Sequence, residues 1–299
     1  MSVLLWLISL LPPVFFGASN LLDKIAVHGD DDDNSPWAIV AMGALFDIIF
    51  VLPIGIYCYV NGSLIPFRGI CPIFLNGITF TFAGWLFYHS IKVEEASRVV
   101  PIFQVIPAFG LVLGFYGLEE KLGVEIIFAI FLLMIGGFTL SLKRGKINRN
   151  ILAMMLVSSL LYAVNDFVLA EYGRRAKDAI WVVILADLLG KMFFGTIGLL
   201  NRKDRNSFAL GFKTKFKLVA LSSIVYSIGD LMFDIAKLFV PIAIVQALCC
   251  TQPLFVLFGA VALTIFCKKF PKEEIDGVSL WQKGVGIVFM VVGGILLSI

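Results

Sequence analysis

The sequence predicts an all-α integral membrane protein with ten transmembrane helices, arranged as two inverted five-helix repeats. The chain of 299 residues is 60% hydrophobic and only 15% charged, with a mean hydropathy of +0.96. Apolar runs recur along it, each about as long as the roughly 20 residues that cross the hydrocarbon layer of a membrane. Because lipid offers the backbone no hydrogen-bond partners, such runs are expected to be helices. Residues of the first half of the chain also recur, in the same order, in the second half.

Ten apolar runs are candidate transmembrane helices, and we number them as spans 1 to 10. They lie at 2–22, 36–60, 69–91, 97–118, 122–142, 151–172, 178–200, 216–238, 241–267 and 281–299. The loops that join them are short. We therefore expect the lipid bilayer to be the main partner of the chain.

Basic residues are concentrated in the loops that follow odd-numbered spans. Those loops hold 17 Lys and Arg residues, against 6 in the loops that follow even-numbered spans, while Lys191 lies within span 7. The positive-inside rule then predicts that the odd-numbered loops face the cytoplasm of a plasma or inner membrane and that both termini lie outside. Basic runs beside a membrane are typical of interfacial anchors, so we expect no nucleic-acid partner.

No motif in the sequence predicts a metal or a cofactor. The five cysteines lie mostly in apolar runs without the spacing of metal ligands, and their odd number argues against a set of disulfides. Two histidines cannot supply a catalytic metal site, and no other catalytic constellation is evident, so an integral membrane enzyme is not expected. A Walker nucleotide motif is also absent from the sequence, which argues against direct ATP drive.

Two five-span halves, residues 1–143 and 150–299, carry the same residues in the same order. Shifts of 145 or 146 positions superpose the pairs Asn20 and Asn165, Gly84 and Gly229, Leu86 and Leu231, His89 and Asp234, Lys92 and Lys237, and Pro107 and Pro253. Because each half has an odd number of spans, the second half should enter the membrane upside down relative to the first. Inverted repeats of this kind are typical of secondary transporters, which hold a substrate near the membrane midplane.

Each half also carries one extended motif: a third span ending in a short polar turn, a fourth span with a central proline, an acidic end, and a fifth span rich in glycine. The first half reads "FYHSIKVEEASRVVPIFQVIPAFGLVLGFYGLEEKLG" and then "IGG". The second reads "FDIAKLFVPIAIVQALCCTQPLFVLFGAVAL" and then "KKFPKEEIDGVSLWQKGVGIVFMVVGG". This arrangement resembles the EamA-type members of the drug/metabolite transporter superfamily over essentially the whole chain.

The resemblance implies a secondary transporter that exports or exchanges small metabolites, amino acids or related solutes among them, by alternating access. The alternative that the sequence leaves open is a non-transporting membrane scaffold or receptor built on the same fold. The resemblance also implies that the glycine-rich spans 5 and 10 either pack the two halves together or form the face of a homodimer. Small residues in membrane helices allow such close backbone contact.

The charged stretch "VEEASRVVP", residues 93–101, is predicted to be a tight hinge between spans 3 and 4. Glu94 and Glu95 are expected in the first turn of span 4, where carboxylates suit the positive end of the helix dipole. Arg98 lies one turn further and could pair with either glutamate. One interpretation is a charged interfacial cap, and the other is an interfacial gate formed by the three side chains.

Aspartates within the predicted spans are candidates for proton coupling, because ionisable groups at membrane depth usually face a bundle interior or an aqueous cavity. Asp47 lies in span 2 with no cation nearby in its own helix. Its counterpart Asp187 in span 7 is four residues from Lys191, so the alternative for Asp187 is a structural pair along one helix face.

Span 8 carries two further aspartates, Asp230 and Asp234, one turn apart. Two carboxylates so close in a low-dielectric span are not both easily ionised, so one of them could take up and release a proton during transport. The alternative is that Asp234 pairs with Lys237 at the interface. His89 occupies the matching position in span 3 and could relay protons or simply be polar packing. Asp166 in span 6 completes the set of buried acids.

Uncharged candidates for substrate binding cluster at the two repeated prolines. Gln104 precedes Pro107, and Thr251 and Gln252 precede Pro253. A proline within a helix frees a carbonyl one turn upstream, which a nearby polar side chain can satisfy or which a ligand can use. We therefore expect a site lined by spans 4 and 9, with contributions from spans 3 and 8. Further candidates are Tyr226, Asn20 and Asn165, followed by Asn76, Tyr88, Tyr162 and Gln246.

Overall fold

A computed structural model of the chain describes residues 8–27, 35–63, 67–94, 99–141, 148–176, 179–266 and 277–298. The described residues form α-helices and short 3-10 helices, and no β-strand occurs among them. The prediction of an all-α protein is therefore confirmed for this part of the chain.

Twelve α-helices are numbered here in chain order. They are α1 Pro12–Val27, α2 Pro36–Phe46, α3 Ile48–Val60, α4 Phe67–Val93, α5 Ile106–Gly117, α6 Val124–Ser141, α7 Arg149–Ala176, α8 Ile180–Thr196, α9 Arg202–Phe239, α10 Ile242–Cys249, α11 Gln252–Phe266 and α12 Gly277–Ser298. Two 3-10 helices, Val100–Val105 and Ile197–Leu200, precede α5 and follow α8. Span 2 thus consists of α2 and α3, and span 9 consists of α10 and α11.

Six stretches of the described chain are long and apolar enough to cross a membrane. They are Pro36–Val60, Ile70–Val93, Val100–Gly117, Arg149–Ala176, Ile180–Leu200 and Ile242–Gly259. Three shorter apolar helices lie at Ile8–Leu22, Val124–Leu140 and Trp281–Leu297. The helix α9 is not among these stretches; its apolar part is interrupted by Asp230, Asp234 and Lys237.

The helix that contains span 8 begins before the apolar run. Span 8 was expected at 216–238, but α9 begins at Arg202 and runs for 38 residues, about 57 Å at 1.5 Å per residue. Asn201 caps the helix by accepting a hydrogen bond from the backbone N–H of Lys203 at 3.1 Å. This cap lets the helix start well before the apolar run that the sequence analysis used to place it.

The placement predicted for Glu94 was wrong. Its backbone N–H donates to the carbonyl of Ser90 at 2.9 Å, so Glu94 continues the hydrogen-bond pattern of α4 instead of opening span 4. Glu94 therefore lies at the carboxyl end of a helix, where the dipole does not favour a carboxylate. Its two proposed gate partners, Glu95 and Arg98, lie outside the described residues.

Both repeated prolines lie where a helix changes its geometry. Pro107 stands in the first turn of α5, directly after the 3-10 helix Val100–Val105. Pro253 stands in the first turn of α11, after a break at Cys250 and Thr251. Thr251 donates its hydroxyl to the carbonyl of Leu248 at 2.7 Å, and the same carbonyl accepts the backbone N–H of Thr251 at 3.0 Å.

Glycines bring backbones together between the two halves. A Cβ on Gly77 of α4 would collide with the backbone of Gly190 on α8, and a Cβ on Gly190 would collide with the carbonyl of Phe74. In the same way Gly136 of α6 lies against the carbonyl of Gly286 on α12. The glycine-rich helices thus pack against each other within one chain, which matches the first of the two roles expected for them.

Candidate functional site

Lys191 of α8 lies at the centre of a buried ionic cluster. Its ammonium nitrogen is 2.9 Å from Asp187 on the same helix. It is also 2.8 Å from Asp230 and 3.2 Å from Asp234, both on α9. The expected pair between Asp187 and Lys191 is confirmed, but the lysine binds three carboxylates instead of one.

Lys237, near the end of α9, extends the cluster towards α7 and α10. Its ammonium nitrogen is 2.6 Å from Asp234, which confirms the expected pair, and 2.5 Å from Asp166 on α7. The other carboxylate oxygen of Asp166 accepts a hydrogen bond from the side-chain amide of Gln246 at 2.7 Å. We call these seven side chains the ionic network: Asp166, Asp187, Lys191, Asp230, Asp234, Lys237 and Gln246.

The ionic network is removed from solvent and carries more acids than bases. Both lysines are 1% exposed, and all four aspartates are buried. Buried charges are tolerated when they are paired and hydrogen-bonded, and a lone buried charge is costly. With four carboxylates and two ammonium groups, the network has two negative charges in excess if every group is ionised.

Asp47 brings a fifth buried carboxylate to this region from the first half. It occupies the turn between α2 and α3, and it accepts a hydrogen bond from the hydroxyl of Ser227 on α9 at 2.7 Å. Ser227 precedes Asp230 by one helical turn, so Asp47 lies beside the network across the boundary between the halves. Asp47 makes no ion pair with the described residues of the chain.

Aromatic rings line the lysines. The ammonium of Lys191 lies 4.5 Å from the ring centre of Phe80 on α4, and that of Lys237 lies 4.4 Å from the ring centre of Phe233. Tyr226 lies one turn before Asp230 and packs on Phe16 of α1, with ring centres 5.1 Å apart. Cation–π contacts of this kind stabilise buried ammonium groups.

A second polar cluster closes one end of the bundle, and we call it the clamp. Arg174, near the end of α7, binds the carboxylate of Glu120 at 2.6 Å. The same guanidinium donates to the carbonyl of Lys237 at 2.9 Å and to that of Val240 at 2.7 Å. Glu120 also accepts from the backbone N–H of Ile242 at 3.2 Å, at the start of α10. The clamp therefore joins the first half, through Glu120, to three helices of the second half.

The backbone after α5 holds Glu120 in this position. Glu119 has a φ of +54°, and the N–H of Glu120 donates to the carbonyl of Gly114 at 3.0 Å, so the backbone folds back over the end of the helix. A positive φ is costly for a residue with a side chain. A Cβ on Gly114 would collide with the Glu120 carboxylate, so the glycine leaves room for the side chain to fold back over the helix.

The candidates at the proline breaks lie beside the network but are not part of it. Gln104 is buried, and its side-chain oxygen has no hydrogen-bond partner among the described residues. Thr251, Gln252 and Pro253 are half-buried at the break before α11. Gln246, one of the less specific candidates from the sequence, is the side chain of span 9 that reaches the network.

The other uncharged candidates occupy different surroundings. Asn165 is buried and exchanges hydrogen bonds with Asn76, each side-chain amide donating to the backbone carbonyl of the other residue, at 3.0 and 3.3 Å. Asn20, the counterpart of Asn165, is exposed on α1. His89 is half-buried, with its ring 5.6 Å from that of Trp85.

Sequence reasoning missed three features of the site. Lys191 was treated only as the partner of Asp187, Asp166 was given no partner, and Arg174 was counted only as a loop charge. One signal was available: Lys191 lies deep within a predicted span, whereas the other basic residues inside predicted spans are at most two residues from an end. A lysine at membrane depth requires carboxylate partners, and the neighbouring acids of other spans were the only candidates for extra ones.

Comparisons with known proteins agree with this architecture. Residues 2–142 match the model of the EamA-like transporter family, and this match places the chain in the drug/metabolite transporter superfamily. No curated protein matches the chain. A crystal structure of another protein superposes on 99% of this chain and 97% of its own, with a TM-score of 0.67 and 12% sequence identity, which shows a shared fold.

The chain is therefore a multi-pass membrane protein whose first half matches a transporter family. Proteins of this family are membrane transporters of small molecules and not enzymes.

Proposed function

We propose that this protein is a secondary transporter of small metabolites that works by alternating access between two inverted halves, residues 1–143 and 150–299. In this proposal all ten spans cross a plasma or inner membrane, and the substrate binds between the halves beside the ionic network. The observation that carries the proposal is the network itself, because a buried excess of carboxylates adds nothing to a static membrane scaffold.

The helix packing supports the inverted repeat. The helix α4 packs against α7 and α8, and its counterpart α9 packs against α1 and α2. The helix α5 packs against α7, and its counterpart α11 packs against α1. Each of these helix contacts thus has an equivalent contact in which the roles of the two halves are reversed, as expected when two similar halves bind face to face.

A polar contact at matching depth supports the same interpretation. Asn76 and Asn165 bridge α4 and α7, while the hydroxyls of Ser222 and Ser19 bridge α9 and α1 at 2.8 Å. The shift that superposes the halves brings the two bridges within one residue of each other. The residue types differ, so the position of a polar bridge has been kept while its chemistry has changed.

The clamp acts as a gate in this mechanism. It ties the end of α5 to the ends of α7 and α9 and to the start of α10, so the halves cannot separate at this end while it is intact. At the opposite end Ser35, before α2, contacts Asp204 and Ser207 near the start of α9. Opening one end while the other stays closed is the motion that alternating access requires.

Proton coupling through Asp47, Asp230 or Asp234 belongs to the same proposal. Asp47 has no cation of its own, and Asp230 and Asp234 share Lys191, so one carboxylate can carry a proton through a cycle while the lysines keep the remaining acids paired. The assignment of the basic loops to the cytoplasm puts the clamp on the outer face. A homodimer stays a prediction, since the glycines that suggested it pack within the chain.

A crosslinking experiment on the clamp tests the transporter proposal. The purified protein is first screened for thermal stabilisation by amino acids, nucleosides, sugars and organic amines, since ligand at 100 times its Kd adds about 2.7 kcal/mol to the native state. Uptake of the stabilising solute is then measured in proteoliposomes. The variant with Glu120→Cys and Arg174→Cys, in a background without the five natural cysteines, is treated with a short reducible bifunctional thiol reagent.

We expect uptake by the untreated protein, loss of uptake after crosslinking and recovery after reduction. A single-cysteine variant, Glu120→Cys alone, controls for the reagent. Binding of a solute without any uptake would favour a scaffold or receptor instead. Uptake that continues unchanged through a completed crosslink would contradict the role of the clamp as a gate.

A further inference from the structure

We propose that the site takes an organic cation that donates hydrogen bonds, a primary ammonium compound, bound between α5 and α10 beside the ionic network. This inference rests on the proposed transport function and adds the chemical class of the substrate. Three observations carry it. Some buried oxygens lack a hydrogen-bond partner, both lysines are already held in ion pairs, and α5 has two glycines at the contact with Gln246 and Glu120.

The buried side-chain atoms without a hydrogen bond are all oxygens in the described part of the chain. They include Oε1 of Gln246, Oε2 of Glu120 and Oδ1 of Asp187, none of which has another polar partner there. No buried side-chain nitrogen of the described residues is in this group. Apart from the hydroxyl of Thr81, which can also donate, these atoms can only accept, and buried acceptors are normally satisfied by protein, water or ligand.

The lysines cannot supply the missing donors. The ammonium of Lys191 has three N–H groups, and it already has three carboxylate partners. Lys237 binds Asp166 and Asp234 and lies over the ring of Phe233. An additional donor is therefore missing from the described part of the chain.

The orientation of Gln246 is fixed by its partner. Its amide nitrogen donates to the carboxylate of Asp166, so its oxygen is the free end. The side chain is 2% exposed, and the oxygen points at Gly110 of α5. Gln246 thus presents an unpartnered acceptor at the boundary between the two halves, attached directly to the acidic network.

Two glycines make room along this boundary. Gly110 and Gly114 lie one turn apart on α5, and a Cβ on either would collide with Gln246 or Glu120 respectively. Glu120 accepts a hydrogen bond from the N–H of Ile242 on α10. Gln246 follows Ile242 on that helix by four residues, so these two contact points are also about one turn apart. Acceptors therefore follow one helix face from the clamp to the network.

The charge and the lining select the ligand class. If every group is ionised, the network has two negative charges in excess and Asp47 adds a third, which repels an anion and attracts a cation. Aromatic rings around the lysines offer the π-faces on which an ammonium group or an apolar body packs. A primary ammonium group provides three N–H donors and one positive charge, which is what the unpartnered acceptors lack.

Binding of 2-phenylethylamine, as its ammonium ion, to the detergent-purified full-length protein tests this inference. Matched probes of the same shape are trimethyl(2-phenylethyl)ammonium, which is a cation without N–H donors, the neutral 2-phenylethanol and the anion phenylacetate. Sodium chloride controls for charge alone. Binding is measured by thermal stabilisation and by equilibrium titration.

We expect the ammonium probe to stabilise the protein and the other probes to bind at least about tenfold more weakly, since a hydrogen bond to a charged group accounts for that much. Asp187→Asn and Gln246→Leu should each weaken the binding of 2-phenylethylamine by about tenfold or more. Gly110→Ala, which crowds Gln246, should weaken it too. Two control variants, Gly294→Ala with open space around it and Glu171→Gln on the surface, should bind as the natural protein does.

Equal binding of the neutral or anionic probe, or of sodium ion, would overturn the ammonium class. So would the absence of binding by 2-phenylethylamine, or binding that all three site variants leave unchanged. If another class of solute is taken up in a clamp-dependent way, the transporter proposal stands while this inference fails. Because Gln246→Leu and Gly110→Ala leave every ion pair intact, the test holds even if Asp187→Asn does not fold.

Discussion

The two halves of the chain place different chemistry at equivalent positions. In the second half α8 carries Asp187 and Lys191, which pair at 2.9 Å. At the same positions the first half has Asp47 and Val51, so Asp47 has no lysine on its own helix and takes a hydrogen bond from Ser227 of the other half. Both aspartates are buried, and only one of them has an internal cation.

The counterpart of α9 differs in the same direction. Asp230 and Asp234 of α9 correspond to Trp85 and His89 of α4. Trp85 packs between Trp37 and Phe82, with ring centres 5.8 and 5.5 Å away. The first half thus has packed aromatic rings at the place where the second half has charged side chains.

This difference shows that the two halves of a duplicated fold can carry different polar side chains at equivalent positions. The helix contacts are shared because they depend on shape and on small residues at the crossings. The ion pairs of the network are confined to the second half because one buried network suffices, and each extra buried charge costs stability. We conclude that the second half provides the network, while the first half provides aromatic packing together with Asp47 and Glu120.

The largest expected effect comes from removing the central cation. Lys191→Met should lower the free energy of unfolding by about 3–5 kcal/mol, because it leaves three buried carboxylates without their shared partner. At the equivalent position Val51→Met should cost less, about 1–3 kcal/mol, since it adds volume to an apolar contact without leaving a charge unpaired. Both are measured as midpoints of chemical unfolding of the purified protein.

A double variant sharpens that comparison. Asp187→Asn in the Lys191→Met background removes one of the uncompensated charges and should recover part of the lost stability. Lys217→Met, which changes an exposed lysine of α9, serves as the control for the loss of a charge. Similar losses for Lys191→Met and Lys217→Met would show that the network contributes no stability.

The smallest expected effect on the free energy of unfolding comes from replacing one acid of the network by its amide. Asp230→Asn should lower the free energy of unfolding by less than about 1 kcal/mol, because Lys191 keeps two carboxylates and excess negative charge is removed. Its counterpart Trp85→Leu should cost more, about 1–3 kcal/mol, through the loss of two ring contacts. A loss for Asp230→Asn that exceeds the loss for Trp85→Leu would mean that the acid is retained for stability and not for binding.

Much of the fold could be predicted from the sequence, because apolar length and in-helix spacing are local properties. The pairs Asp187–Lys191 and Asp234–Lys237 follow from the four- and three-residue spacing on one helix, and both are present. The breaks at Pro107 and Pro253 follow from the missing N–H of proline.

The assembly of the site could not be predicted in the same way. Lys237 reaches Asp166 only because α7 and α9 cross beside each other, and no spacing along the chain encodes that crossing. Likewise Glu120 and Arg174 are separated by 54 residues and meet through the endings of α5 and α7. Glu94 was misplaced because α4 continues to Val93 past the polar turn that was taken as the start of the next helix.

The central claim is that the ionic network lies on a pathway that opens at one end of the bundle at a time, while its aromatic counterpart is fixed packing. It is tested most directly by the reactivity of single cysteines at Gln246 and at Trp85 with a membrane-impermeant thiol reagent applied to each face of oriented proteoliposomes. Each is placed in the background without the natural cysteines, with and without Arg174→Gln, which opens the clamp.

We expect the thiol at position 246 to react much faster from the clamp face once Arg174 is replaced, and the thiol at position 85 to react equally slowly in both backgrounds. A thiol at position 246 that stays unreactive from the clamp face after the clamp is opened would contradict the account. Equal changes at both positions would contradict the division of roles between the halves.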